Sequence, residues 1–182
     1  MLFRKLLYFA IFPIILMFLS GCDPTNMVHI DVSPQPTEDL NKNFRLNLYT
    51  DKDNYRNNEQ INIWATLEYI GSNDQITIWH GLPYVSFTIT DGKRFNAGGT
   101  FEDILTSTVL DKGIIYTYNY SKGGGYEENS PDADFWRKFY NQKEMYLPKG
   151  YYTIKVQGAF SLSEYGNHIS NSLIAETKIR VN

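Results

Sequence analysis

Cysteine is nearly absent: the 182 residues contain one, Cys22. With a single thiol there is no intramolecular disulfide and no CxxC metal site, so the fold has to stand on packing alone. That leaves Cys22 as a nucleophile, a lone metal ligand, half of an intermolecular disulfide or a point of membrane attachment. Histidine is scarce too, with His29, His80 and His168 only, none at i, i+4 spacing from another ligand. Neither HExxH nor Gly-x-Ser-x-Gly occurs, so the sequence reads as a non-enzyme, although a Ser-His-Asp site can be assembled from distant residues. "DKDN" (Asp51, Asp53, Asn54) supplies half of a calcium loop but lacks the glycine and the closing glutamate of an EF-hand, and a solvated turn accounts for it. "EENSPDAD" adds Glu127, Glu128, Asp132 and Asp134, the last two explained by helix capping. No cofactor and no metal is called for. Basic charge is also short, at 17 Lys and Arg against 20 Asp and Glu. No repeat of fixed period is visible, which sets aside propellers and solenoids.

What is present begins with the amino terminus. Arg4 and Lys5 precede an apolar stretch, Leu6 to Leu19, interrupted only by Pro13, and the small residues Ser20 and Gly21 follow. Charge, apolar core and small residues in that order form a secretory signal. The stretch is short for a membrane span, which needs about 20 residues, and no stop-transfer cluster follows it. Leu19-Ser20-Gly21-Cys22 resembles the lipobox of bacterial lipoproteins. The resemblance implies diacylglyceryl transfer to the Cys22 sulfur, cleavage between Gly21 and Cys22, and acylation (palmitate-type) of the new amino terminus. Two or three acyl chains anchor stably where one binds reversibly. On this reading the protein sits on the extracytoplasmic side of the cell membrane. Asp23 would favour inner-membrane retention in an envelope with two membranes. Arg4 and Lys5 leave with the signal, so the mature chain carries 15 basic against 20 acidic residues, a net charge of about −5. A mildly acidic exported domain lacks the basic footprint that nucleic acid requires.

Residues 22–43 are rich in Pro, Asn, Thr and Asp and read as a flexible tether, with "MVHIDV" alternating enough to pair as a short edge strand. A coil of roughly 20 residues has a root-mean-square reach of about 25 Å, enough to lift a domain off the headgroups. Residues 44–182 suffice for one domain.

From Phe44 the apolar period is two. "FRLNLYT" aligns Phe44, Leu46 and Leu48; "INIWATLEYI" aligns Ile61, Ile63, Ala65, Leu67 and Tyr69, with Trp64 opposite. "GSND" turns the chain into "QITIW", and "YVSFTIT" aligns Val85, Phe87 and Ile89 ahead of the hairpin-type turn "DGK". "ILTSTVL", "IIYTYNY", "YYTIKVQGAF" and "LIAETKIRV" complete the set. Eight or so alternating segments with turns between them predict an all-β, Ig-like antiparallel β-sandwich. One segment departs: "SPDADFWRKFYNQKEM" predicts a short inserted helix, with Ser130 as N-cap, Pro131 at the first helical position, and Phe135, Phe139 and Tyr140 on one side. It should pack across an open end or edge of the sandwich.

Tyr55, Asn58-Glu59, the strand Ile61 to Leu67 and the turn Gly71 to Asp74 resemble the opening of extracellular Ig-like modules, including macroglobulin-type domains. Pro148, Gly150, Tyr152 and Ile154 match the turn-plus-strand of the same modules. The order of strands and turns over residues 44–158 is also similar to the bacillus-type intracellular proteinase inhibitor domain. That likeness implies an inhibitor, for which residues 121–131 would supply the inserted loop. The export signal, the "SKGGGYEENSPDADFWRKFY" insertion and the extra C-terminal strand depart from it, and no inhibitory residue carries over.

Aromatics are abundant, at 14 Tyr, 11 Phe and 3 Trp. Sheet packing accounts for most of them. Tyr116, Tyr118 and Tyr120 share a strand face that runs into Gly123-Gly124-Gly125 and Tyr126, while Trp64 lies opposite its strand's apolar row and Trp79-His80-Gly81 ends a strand. Exposed tyrosines beside an adaptable loop suit a protein or glycan contact. The sequence thus predicts a lipid-anchored, non-enzymatic sandwich that binds a protein partner in the envelope. An exported proteinase inhibitor, or a glycan- or calcium-binding module, are the alternatives.

Overall fold

Alternation along the central strand β3 (Ile63–Tyr69) sets the architecture, because Ile63, Ala65, Leu67 and Tyr69 are buried while Trp64, Thr66 and Glu68 between them are half-exposed. The computed structural model describes residues 40–99, 102–164 and 172–182; Gly21, Cys22, the tether to residue 39, His29 and His168 lie outside them. β3 pairs antiparallel with β1 (Phe44–Thr50) on one side and β8 (Ile115–Asn119) on the other, giving a three-stranded sheet. Register places Leu46 opposite Leu67 and Leu48 opposite Ala65, so the apolar rows of both strands fall on one face.

The facing sheet has five strands in the order β2 (Asn54–Tyr55), β10 (Ser172–Val181), β9 (Gly150–Ala159), β5 (Val85–Thr90) and β6 (Asn96–Gly98). All its pairings are antiparallel except the short parallel contact of β2 with β10. β4 (Gln75–Leu82) and β7 (Glu102–Asp111) form a separate two-stranded ribbon. The ribbon is stitched to the five-stranded sheet where Trp79 and Ser161 exchange backbone N–H···O bonds of 2.8 Å each. Leu67, Ile78, Ile89, Leu110, Ile154 and Val156, from all three sheets, are fully buried in one core. Each such side chain contributes about 1.5–3 kcal/mol. The fold is an all-β sandwich with short helices.

The "DGK" turn joins β5 to β6. Asp91 organises it, its carboxylate accepting the N–H groups of Lys93 (2.8 Å) and Phe95 (3.0 Å), and Gly92 takes φ +71°, which a side chain would resist. "DKDN" closes around a buried phenol. The Tyr55 hydroxyl donates to Asp51 Oδ1 (2.7 Å) and accepts from the Lys52 N–H (3.0 Å), and the Asn62 N–H also donates to Asp51 (3.0 Å). The Asp51 carboxylate is therefore committed to holding the β1–β3 connection. Burial pushes its pKa up, and these hydrogen bonds outweigh that and hold it below the usual value. Among the described residues no group of three or more His, Cys, Asp or Glu side chains could hold a metal ion.

Leu40–Asn43, within the expected tether, form the short helix α1, with Leu40 buried in the core and the Asn43 carbonyl accepting the Ile70 N–H at 2.8 Å. The inserted helix α2 spans Ala133–Asn141, later than Ser130 and Pro131 suggested. Ser130 and Pro131 belong to the preceding turn, where the Ala133 N–H donates to the Ser130 carbonyl (3.1 Å). Asp132 takes the cap position without a side-chain cap bond, since its carboxylate accepts the Trp136 indole N–H at 3.1 Å.

Candidate functional site

β8 is one edge of the three-stranded sheet, β1 being the other, and its hydrogen bonding fixes which groups it leaves open. In an antiparallel ladder alternate residues exchange bonds with the partner, and those between turn their N–H and C=O away. The Tyr120 N–H donates to the Ile63 carbonyl at 2.9 Å, and the register runs Tyr118 to Ala65 and Tyr116 to Leu67. The tyrosines therefore face β3 through their backbones. Ile115, Thr117 and Asn119 turn their backbone N–H and C=O groups to the other side of β8, where no described strand pairs.

The side chains alternate with the same period. Tyr116, Tyr118 and Tyr120 do share a face, but it is the core side: all three are half-buried and packed against the core, whereas Ile115, Thr117 and Asn119 are exposed. This corrects the expectation of exposed tyrosines. β8 faces the other sheet, and rings of this size fill the space between them. Tyr120 meets Phe87 edge-on at 5.8 Å, and Tyr118 meets Tyr84 at 5.6 Å with their hydroxyls hydrogen-bonded. The Tyr116 hydroxyl accepts the Asp111 N–H at 2.9 Å, tying β8 to the end of the ribbon.

Beside this edge lies a groove of about 400 Å³, bounded by Tyr118 to Ser121 on one wall and by Val85, Ser86 and Phe87 on the other. The glycine loop closes one end. A Cβ on Gly124 (φ +115°) would stand 2.8 Å from the Gly98 carbonyl oxygen and 2.9 Å from the Tyr140 hydroxyl, so only glycine seats there. Deeper still, His80 is 1% exposed, a position the sequence placed merely after a strand. Its Nδ1 donates to the Gly81 carbonyl (2.7 Å), its Nε2 bonds the Thr108 hydroxyl (2.8 Å), and its ring lies 4.2 Å from Tyr84. The histidine thus buttresses Tyr84, which in turn positions Tyr118. Tyr84 and His80 were not singled out as site residues, because neither belongs to the tyrosine row.

The remaining aromatic candidates are not gathered here. Trp64 stacks on Tyr49 at 5.5 Å on the outer face of the three-stranded sheet. Trp79 is half-buried on the ribbon and takes part in its junction with Ser161. Tyr126 joins the helix, stacking on Tyr140 at 6.3 Å and accepting the Arg137 Nε–H at 3.2 Å. The six do not form one surface.

Burial raises the pKa of Tyr118 far above the phenol range, with the Tyr84 hydrogen bond adding to it; burial likewise raises Tyr120, Tyr84 and Tyr55. A raised folded value means stability that is fully present below the ordinary phenol pKa of 10.0 and lost as pH climbs beyond it. These tyrosines should therefore ionise only as the domain unfolds, so that tyrosinate absorbance and loss of circular dichroism rise together. Complete ionisation with native dichroism retained would refute this. At neutral pH the groove offers ring faces, neutral hydroxyls and free backbone amides, all groups suited to binding.

No protein-family model matches the chain. No curated protein matches it either. Among solved structures it is similar to Spo0M, a sporulation control protein from Bacillus subtilis, at 10% identity and a TM-score of 0.40, over 77% of this chain and 49% of that one. It is also similar to a beta-glucosidase from Listeria innocua in complex with glucose, at 13% identity and a TM-score of 0.35, over 76% of this chain and 16% of that one. The chain spans half or less of the length of these structures.

Proposed function

We propose that this protein is a lipid-anchored, non-enzymatic lipoprotein whose sandwich, held at the extracytoplasmic face of the cell membrane by Cys22, binds a protein partner in the envelope. Recognition uses the free edge of β8. The carrying observation is that edge: outward N–H and C=O groups at Ile115, Thr117 and Asn119 run beside an aromatic groove, with no charge or proline on the strand to block pairing. An extended segment added there gains main-chain hydrogen bonds from the edge and side-chain specificity from the groove. The anchor reading rests on the Leu19-Ser20-Gly21-Cys22 pattern behind its charged and apolar segments. An inhibitor would need residues 121–131 as an exposed, substrate-like loop. That reading gains little from a segment in which Lys122 is bonded to three backbone carbonyls and Gly124 is wedged against Gly98.

Two substitutions and a crosslinker test the proposal. Cys22→Ala should move the protein from the membrane to the soluble fraction. A photo-crosslinking residue at Asn119 should give a discrete partner adduct on intact cells, and one at Tyr151, exposed on β9, should not. Thr117→Pro removes an outward N–H while sparing the bonds to β3 and should abolish the Asn119 adduct without unfolding the domain. Adducts of equal yield at both positions, or an adduct indifferent to Thr117→Pro, would overturn edge recognition.

A further inference from the structure

A second concave surface lies at the other end of the insertion, where α2 meets the β2–β3 connection. It is an open depression of about 660 Å³. Its lining includes Asn57, Asn58, Gln142, Tyr146 and Lys138 together with Phe135. Three features set it apart. Phe135 is 38% exposed although it belongs to the helix's aromatic cluster, so a ring face stays open. Among the described residues Lys138 is the only charged one lining the pocket, with no carboxylate beside it in the lining, in a chain with an acidic balance. Its side chain makes no hydrogen bond or ion pair with a described residue.

Phe135 and Pro148 also line a neighbouring pocket of about 250 Å³ that holds Arg94, Lys149, Asp91 and Asp132. Both carboxylates there are already engaged, Asp91 by two backbone N–H groups and Asp132 by the Trp136 indole. What remains available across the pair of pockets is an open aromatic face, flanking amides and the Lys138 ammonium, while in the flanking pocket Arg94 and Lys149 are balanced by the ionised Asp91 and Asp132. An aromatic face suits the C–H face of a sugar ring, planar amides suit paired hydroxyls, and an unpartnered ammonium suits an acidic group.

We infer that this double pocket binds an acidic polysaccharide, a sugar ring lying on Phe135 and its acidic group reaching Lys138. The flanking pocket makes room for the chain to continue past Pro148 toward Lys149, so the ligand is a polymer rather than a single sugar. The aromatic that matters is Phe135, which the sequence assigned to packing, and not Trp64 or Trp79.

The test is calorimetric titration of the full folded domain with oligogalacturonides of two and six units, and with neutral cello-oligosaccharides of the same lengths. The six-unit acidic chain should bind at least tenfold more tightly than both the two-unit acidic chain and the neutral six-unit chain. Phe135→Ala should weaken it at least tenfold, while Lys138→Met should erase the preference for acidic over neutral chains. Both residues are exposed, and unchanged melting of each variant confirms that the fold is kept. No heat with any saccharide at millimolar concentration would overturn the inference, as would binding unaffected by both substitutions. The crosslink at Asn119 is read on a different surface, so its success or failure is independent.

Discussion

Phe95→Ala should lower the unfolding free energy by about 3–5 kcal/mol, the range for emptying a buried aromatic site. Phe95 is 6% exposed at the close of the β5–β6 turn and is the ring on which the insertion rests. It stacks on Trp136 at 5.2 Å and meets Phe139, Tyr152 and Phe135 edge-on at 5.4, 5.5 and 6.2 Å. Truncation removes one partner from four ring pairs and leaves a void between α2 and β9, which rigid strands cannot collapse to fill. Thermal melting should fall by about 10 °C or more. Phe95→Leu retains most of the volume and should recover more than half of the loss. A cost below about 1 kcal/mol for the alanine would show that α2 does not depend on this platform.

The second large effect is expected at Lys122, whose ammonium donates to the carbonyls of Phe139 (2.7 Å), Gln142 (2.8 Å) and Glu144 (2.7 Å). Carbonyls at the end of a helix have no intrahelical partner, and the helix dipole makes that end electronegative, so a cation there satisfies both needs. The ammonium also lies 4.5 Å from the centre of the Phe139 ring. Lys122→Met keeps the apolar stem and removes the donors. It should cost about 2–4 kcal/mol, since charge-assisted hydrogen bonds are worth about 1.5–3 kcal/mol each and water recovers part of the loss at a half-exposed site. Lys122→Arg should be intermediate, because a planar fork cannot reproduce three donors converging from one nitrogen. Hydrogen exchange would localise the change: amides of α2 should accelerate while those of β3 and β9 stay protected. Uniform acceleration would contradict the assignment of Lys122 to the helix end.

These residues show where the sequence was informative. Ile63, Ala65, Leu67 and Tyr69, and likewise Tyr152, Ile154 and Val156, alternate with polar or small residues, and burial on one face requires that pattern. The strands were therefore legible almost to their ends, and the helix was legible from its aromatic spacing. The tyrosine row on β8 was legible as a row, but not which way it faced. Period two fixes that Tyr116, Tyr118 and Tyr120 lie together; whether that side is core or surface depends on the sheet opposite, which local sequence does not encode. Lys122 carries no local signature at all, because its partners lie 17 to 22 residues further along the chain. Phe135 does pack on the same side as Phe139, as its spacing suggested, but spacing does not tell that it stays 38% exposed. The short strands β2 and β6 and the helix α1 are too brief for any period to register.

The clasp at Lys122 has an architectural consequence. One side chain bridges the point where the chain leaves β8 and the point, at Glu144, where it comes back toward β9. The stretch between is a closed excursion with its mouth already drawn together, while β8 and β9 belong to different sheets and complete their ladders without it. The helix, and with it Phe135 and Lys138, is thus a module mounted on the sandwich, and the edge of β8 is part of the chassis. Replacing residues 123–143 by a short linker would remove Phe135 and Lys138, but it would also open the end of the β8 groove that Gly123 lines and uncover Phe95, so the insertion is part of both surfaces.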